Sequence, residues 1–181
     1  EEEKLKNRIY AMLGGNEVYL DNYFEYPPLI GYGNNHLTFK SIKIAIDGAM
    51  GSRGALLLDE YSDMPGHHGS MVTKADAIKK IAVDAVNKNF QLNVHAIGDS
   101  ASRLALDLFE EVDTDYSMRD RRFRIEHLQL VSLEDIPRLN KLGIIPSMQA
   151  YHAISDMNWA ETRAGKERVK GNYAWRKIID S

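Results

Sequence analysis

The chain has no cysteine among its 181 residues. Disulfides and thiolate metal sites are therefore excluded, and any bound metal must rest on nitrogen and oxygen ligands. A large excess of either charge is missing too, the formal net charge being -3. That balance favours neither nucleic acid nor an anionic membrane as partner. No run is long or apolar enough to span a bilayer. The amino terminus, Glu1-Glu2-Glu3-Lys4, has neither the basic start nor the apolar segment of a signal peptide, and the reducing cytoplasm is the expected compartment. An initiator methionine is absent, as expected of a chain that begins inside a longer one. No solenoid-type internal repeat is found. What is there, 44% hydrophobic and 27% charged residues, suits one globular domain with a real core.

The clearest local pattern is Gln91 to Asp99. Leu92, Val94 and Ala96 alternate with Asn93, His95 and Ile97, which predicts a short strand. Gly98-Asp99-Ser100 breaks the run, and Leu104, Ala105, Leu108, Phe109 and Val112 follow at helical spacing. His95 thus sits at the carboxyl end of a strand, before a strand-to-helix loop, where parallel α/β folds place their chemistry. Two other strand ends are similar. Ile42 to Gly48 carries Lys43 among apolar residues, and Phe123 to His127 ends on a histidine.

Around these, the order reads strand, loop, strand, helix, strand, helix, strand, helix, strand, loop, helix. Strands alternating with helices imply a parallel sheet. Glu1 to Lys6 reads as the tail of a charged helix and Arg8 to Leu13 as a strand. Asn16 to Asn35 reads as an irregular connection with a helical turn near Val18 to Phe24. The lysine strand spans about Ser41 to Asp47, and Gly48 to Met71 is a long loop of the kind that is often functional. Thr73 with Asp76 and Ser132 with Asp135 form capping-box patterns before two helices. The first of these helices should bury Ile78, Ile81, Ala82, Ala85 and Val86. The second should bury Leu139 and Leu142 and end at Gly143. Asp113 to Asp120 is a polar connection, Ile144 to Gln149 a strand interrupted by Pro146, Tyr151 to Lys170 a second polar loop, and Asn172 to Ile179 a helix start.

The six histidines differ in promise. His36 lies in a polar turn and reads as solvated, and His67-His68 as an exposed loop pair. His95 and His127 stand where strands leave the sheet, and are either core histidines satisfied by a carbonyl or site residues. His152 follows a strand closely enough to touch substrate. Lys43 among isoleucines must snorkel, pair with an acid, form a Schiff base or become carbamylated. Alternation points Glu126 away from His127, as an ion-pair partner rather than a ligand. Asp47 is placed to bond the Gly-Ser-Arg loop, and Asp99 to cap the next helix.

Four segments together resemble amidohydrolase family 3, nearest the N-substituted formamide deformylase and exoenzyme-regulator branch. They are Lys-Ile-Ala-Ile-Asp-Gly-Ala-Met-Gly-Ser-Arg (43 to 53), Val-His-Ala-Ile-Gly-Asp (94 to 99), Arg-Ile-Glu-His-Leu-Gln (124 to 129) and Ser-Met-Gln-Ala-Tyr-His-Ala-Ile-Ser-Asp-Met (147 to 157). The resemblance implies an α/β fold, part of a (β/α)8 TIM barrel. It implies a divalent metal, zinc being the expected ion in one or two copies, held by Lys43, when carbamylated, and by His95 and His127. Arg53, Gln149 and His152 are the implied substrate contacts. The implied reaction is attack of a metal-activated water on a non-peptide carbon–nitrogen bond of a small amide or formamide. The family's His-x-His pair and its last-strand aspartate do not occur here, so residues 1–181 are expected to be an internal piece of the barrel, about strands three to seven. Such a piece alone should be inactive, and a homo-oligomer is a possible assembly. Two other classes stay open: a Schiff-base lyase using Lys43 with His95 as base, and a non-catalytic regulatory protein on a degenerate barrel.

Overall fold

The computed structural model describes residues 6–15, 17–113 and 121–181. The helix tail expected over Glu1 to Lys6 and the polar connection over Asp113 to Asp120 fall almost wholly outside the described residues. In chain order the elements are β1 (Ile9–Gly14), α1 (Glu17–Phe24), β2 (Leu29–Gly31), the one-turn α2 (Tyr32–Asn35), β3 (Leu37–Ala45), α3 (Ala75–Asn87), β4 (Gln91–Ala96) and α4 (Asp99–Asp113). They continue with β5 (Arg124–His127), α5 (Ile136–Leu142), β6 (Ile145–Ser147), α6 (Ala150–Asp156), α7 (Ala160–Arg168), a 3-10 turn (Val169–Gly171) and α8 (Trp175–Ile179). β1, β3, β4, β5 and β6 lie side by side in that order, all parallel, while β2 pairs antiparallel with β3. This is the strand–helix alternation of a βα fold.

Register assigns the two faces of the sheet. Lys43 pairs with Asn93, and Asn93 with Arg124. One step on, Ala45 pairs with His95, and His95 with Glu126. Paired residues share a face and residues two apart share a face, so Lys43, Asn93, His95, Arg124 and Glu126 form one polar face. The alternate residues Ile42, Ile44, Leu92, Val94 and Ile125 are buried on the other, in the same core as the apolar faces of α3, α4 and α5. Burial of each such side chain contributes about 1.5–3 kcal/mol. Helix α3 buries Ile78, Ile81, Ala82, Ala85 and Val86, the face expected from spacing.

Several expectations are corrected. β3 starts at Leu37 rather than Ser41, because β1 and β2 both recruit its first half. Neither capping box forms. The residue before α3 is Lys74, with no side-chain cap, and Asp135 before α5 bonds Arg103 and Arg138 instead. Pro146, which has no N–H to give, lies in a β6 of only three residues. The polar loop expected over Tyr151 to Lys170 is largely helical, in α6 and α7. Helix α6 buries nothing and α7 buries only Ala160 and Ala164, so no apolar periodicity announces them.

Gly143 ends α5 in a left-handed conformation, φ 66. A Cβ there costs about 1–2 kcal/mol. Gly143→Ala is therefore expected to lower unfolding stability by that amount in a urea titration, and an unchanged midpoint would refute the cap.

The long connection from Gly48 to Lys74 has its own small core. Met50, Ala55, Leu57 and Tyr61 cluster with Ile97, Leu130 and Ala164, and with Trp159 and Val169 at the edge. Backbone bonds from Leu57 to His68 and from Tyr61 to His67, each 2.8 Å, fold it on itself. Asp63 then ties it to α7, taking a two-point bond from Arg53 (3.1 and 2.9 Å) and another from Arg163. The connection after β3 and the excursion after β6 thus lie together at the end of the sheet that carries His95.

Candidate metal centre

Three nitrogen-bearing side chains meet at the carboxyl ends of adjacent strands. The His95 and His127 rings stand edge to face with centroids 4.5 Å apart. Lys43 enters from β3 on the same face as His95. Its ammonium makes one long bond, 3.4 Å, to the Ile44 carbonyl. Burial holds the Lys43 amine below its ordinary range, with Glu126 opposing.

His127 breaks the alternation of β5. Its φ is 74 and that of Leu128 is 42, both left-handed for residues with a side chain. Backbone of this kind persists where the surroundings enforce it, and it gathers at functional sites. The turn brings the His127 ring round to His95. Glu126, expected to point away from the site, instead shares the His95 face by register. It keeps the expected ion-pair role, accepting from Arg124 Nε at 2.7 Å.

Burial pushes the His95 imidazole down to about 4, helped by His127 and Lys43, and a backbone hydrogen bond with Gly48 opposes it. Burial lowers His127 as well, against its bond to Gln149. Both rings are therefore neutral at physiological pH, the state that offers a lone pair to a metal.

Second contacts orient the rings. Gln149 Nε2 donates to the Ser147 carbonyl at 3.3 Å, which fixes its amide. Its Oε1 then accepts from His127 Nδ1–H at 2.8 Å, leaving His127 Nε2 as the free acceptor. His152, one turn into α6, stacks on His127 at 5.9 Å and 16°. Lys43, His95, His127, Gln149 and His152 are thus brought together. Arg53 is not left free to meet a ligand: its guanidinium is committed to Asp63. His67 supports the loop, stacking on Tyr61 at 5.5 Å and bonding the Arg53 carbonyl at 2.8 Å.

Asp47 bonds Leu56 and the exit of β4 rather than the expected Gly-Ser-Arg loop. Its carboxylate accepts from the amides of Leu56 (2.8 Å), Ile97 (3.0 Å) and Gly98 (2.8 Å), and its Oδ1 lies 3.5 Å from His95 Nε2. Burial pushes its carboxyl up to about 6 against those three bonds. It joins the exits of β3 and β4, a link between residues about 50 apart that no local motif announces.

The donor set fits a divalent metal. His95 Nε2 is buried and has no hydrogen-bond partner, and a metal–nitrogen bond would satisfy it. Among the described residues no three His, Cys, Asp or Glu side chains are grouped to hold a metal, so the set depends on the lysine. A cavity of about 280 Å³ lies between Leu58, Asp99, Ser132 and Arg168, and none of Lys43, His95 and His127 lines it.

Comparison with known proteins places the fold and the family. A crystal structure of an uncharacterized metal-dependent hydrolase from Pyrococcus horikoshii superposes with a TM-score of 0.86 at 31% identity, over 99% of this chain and 35% of that one. A metal-dependent hydrolase from Pyrococcus furiosus superposes equally, TM-score 0.86 and 32% identity, over 99% of this chain and 36% of that one. Both support the TIM-barrel-like α/β fold. The Arabidopsis thaliana protein LONG AFTER FAR-RED 3 is 35% identical over 140 residues, 77% of this chain and 24% of that protein. The chain therefore spans about a quarter to a third of the length of these proteins. Residues 5–181 match the sequence profile of the amidohydrolase family. With parallel strands delivering a lysine and two neutral histidines to one point, and a profile match over nearly its whole length, the chain belongs to the amidohydrolase family.

Proposed function

We propose that the protein is a metal-dependent hydrolase that opens a non-peptide carbon–nitrogen bond of a small amide or formamide. The observation that carries this reading is the buried, unpartnered Nε2 of His95 beside a second neutral imidazole and a desolvated lysine. Lys43, as its carbamate, and His95 and His127 would hold the ion. Zinc is the ion we propose, in one or two copies, because imidazole nitrogen suits it. When bound, such an ion acidifies a water toward neutrality and polarises a carbonyl.

The chain's own residues prepare that chemistry. Gln149 holds the His127 proton on Nδ1, and burial keeps both imidazoles uncharged. His152, stacked on His127 at the start of α6, is the side chain we assign to substrate contact. The formamide class follows from the four sequence segments rather than from any pocket shape.

Metal analysis of the protein as encoded by its gene tests the reading. It is expected to retain zinc or another divalent ion, and to hydrolyse members of a panel of N-formyl and N-acyl amines. Chelation should abolish the activity and zinc should restore it. Hydrolysis that survives complete metal removal would defeat the proposal. A second reading draws on Lys43, since an amine held below its ordinary range by burial suits Schiff-base chemistry. Borohydride reduction with a carbonyl substrate decides for it if an adduct forms on Lys43.

A further inference from the structure

Helix α6 poses a question of attachment. It presents Gln149 at its amino end and His152 in its first turn to the His127 ring, yet it buries none of its own residues. Its outward face carries Tyr151, Ile154 and Met157, which are 76%, 67% and 69% exposed. Apolar packing does not set its position, so polar contacts must.

Those contacts converge on Asp156. Its Oδ2 accepts from Gln129 Nε2 at 3.0 Å and from the Tyr173 hydroxyl at 2.6 Å. Gln129 lies on the path out of β5, and Tyr173, between the 3-10 turn and α8, is bonded to that path. Gln129 follows His127 by two residues and is buried. The Gln129 carbonyl accepts from the Tyr173 amide at 2.7 Å, and Val131 bonds the Gly171 carbonyl at 3.2 Å. Tyr173 holds a left-handed backbone, φ 48, which a residue with a side chain adopts only under constraint. His152 and Asp156 are four apart and so share a helix face. That face is the one turned toward β5.

We propose that Asp156 is a positioning residue. Its carboxylate latches α6 to the segment leaving His127, and so keeps Gln149 and His152 registered on the His127 ring. The role is defined on the chain's own side chains. It rests on the metal-hydrolase reading only in treating the His127 ring as functional.

The test is metal-free. Protein with 15N-labelled histidine, observed near neutral pH by long-range proton–nitrogen correlation, reports the tautomer of each ring. The parent is expected to show His127 as a single Nδ1–H tautomer, fixed by Gln149. Asp156→Ala should lose that pattern, with the two ring nitrogens moving toward a common averaged value. Tyr173→Phe, which removes only a hydroxyl, should shift the ring the same way by less, and it carries the test should Asp156→Ala fail to fold. Asp156→Asn keeps an acceptor oxygen and should largely restore the parent pattern. Ile154→Ala, on the exposed face of the same helix, should leave it unchanged. A parent-like His127 ring in both Asp156→Ala and Tyr173→Phe would overturn the proposal, as would equal scrambling by Ile154→Ala. Zinc added to the parent reports separately on the metal reading: no response at His95 and His127 defeats that reading and leaves the tautomer result standing.

Discussion

His95→Ala is expected to lower zinc affinity more than about 100-fold, the upper end of what an outer-shell change costs, and to take hydrolysis with it. His95 contributes a buried, unpartnered nitrogen that no neighbour replaces. Asp47 Oδ1 lies 3.5 Å from it and accepts the Ile97 amide. Lys43 and His127 alone are two donors, one short of the three protein ligands usual for a catalytic zinc. Competition against a chromophoric chelator measures the effect. His36→Ala is the control, since that ring bonds its local Gly33 carbonyl at 2.7 Å. If His95→Ala binds zinc within a few-fold of the parent, the ligand assignment is wrong.

Asp47→Ala is expected to cost about 3 kcal/mol or more of unfolding free energy. Three backbone N–H groups lose their acceptor at once, and a stranded buried donor costs about 1–3 kcal/mol. Asp47 has no exposed side-chain surface, so water does not easily take its place. The damage is not confined to one loop, because the three amides belong to Leu56, Ile97 and Gly98, on two different connections. Urea unfolding followed by far-UV circular dichroism gives the number. A loss below about 0.5 kcal/mol, the range of a neutral surface change, would show that the three bonds carry no net stability.

The parts of this molecule that were legible in sequence are those that repeat. Helix α3 was readable because Ile78, Ile81, Ala82, Ala85 and Val86 recur at helical spacing and all are buried. The five parallel strands were readable from short apolar runs bounded by Gly, Asn and Asp. Lys43, His95 and His127 drew notice because each is a polar residue where burial was expected. Strand order brings Lys43 and His95 to one face, and the turn at His127 adds the third side chain.

What stayed hidden is held by polar contacts between distant residues. Helices α6 and α7 read as a loop because Gln149, Asp156 and Arg163 anchor them, and such anchors have no period. The reach of Asp47 to Gly98 spans 51 positions. The left-handed turn at His127 left no mark either, since neither it nor Leu128 is a glycine. Alternation consequently sent Glu126 to the wrong side of the strand.

The Asp63 junction has a consequence for anyone altering what this protein accepts. Arg53 and Arg163 reach one carboxylate, and Arg163 stands 100 positions further along than Asp63. Tyr61, Ala164 and Trp159 knit the same two stretches together. Residues 48–71 and 159–171 are therefore coupled to each other. A graft that exchanges one stretch from a relative and keeps the other would leave a carboxylate facing the wrong arginine and a half-built core. Shuffled libraries should carry both stretches from the same parent.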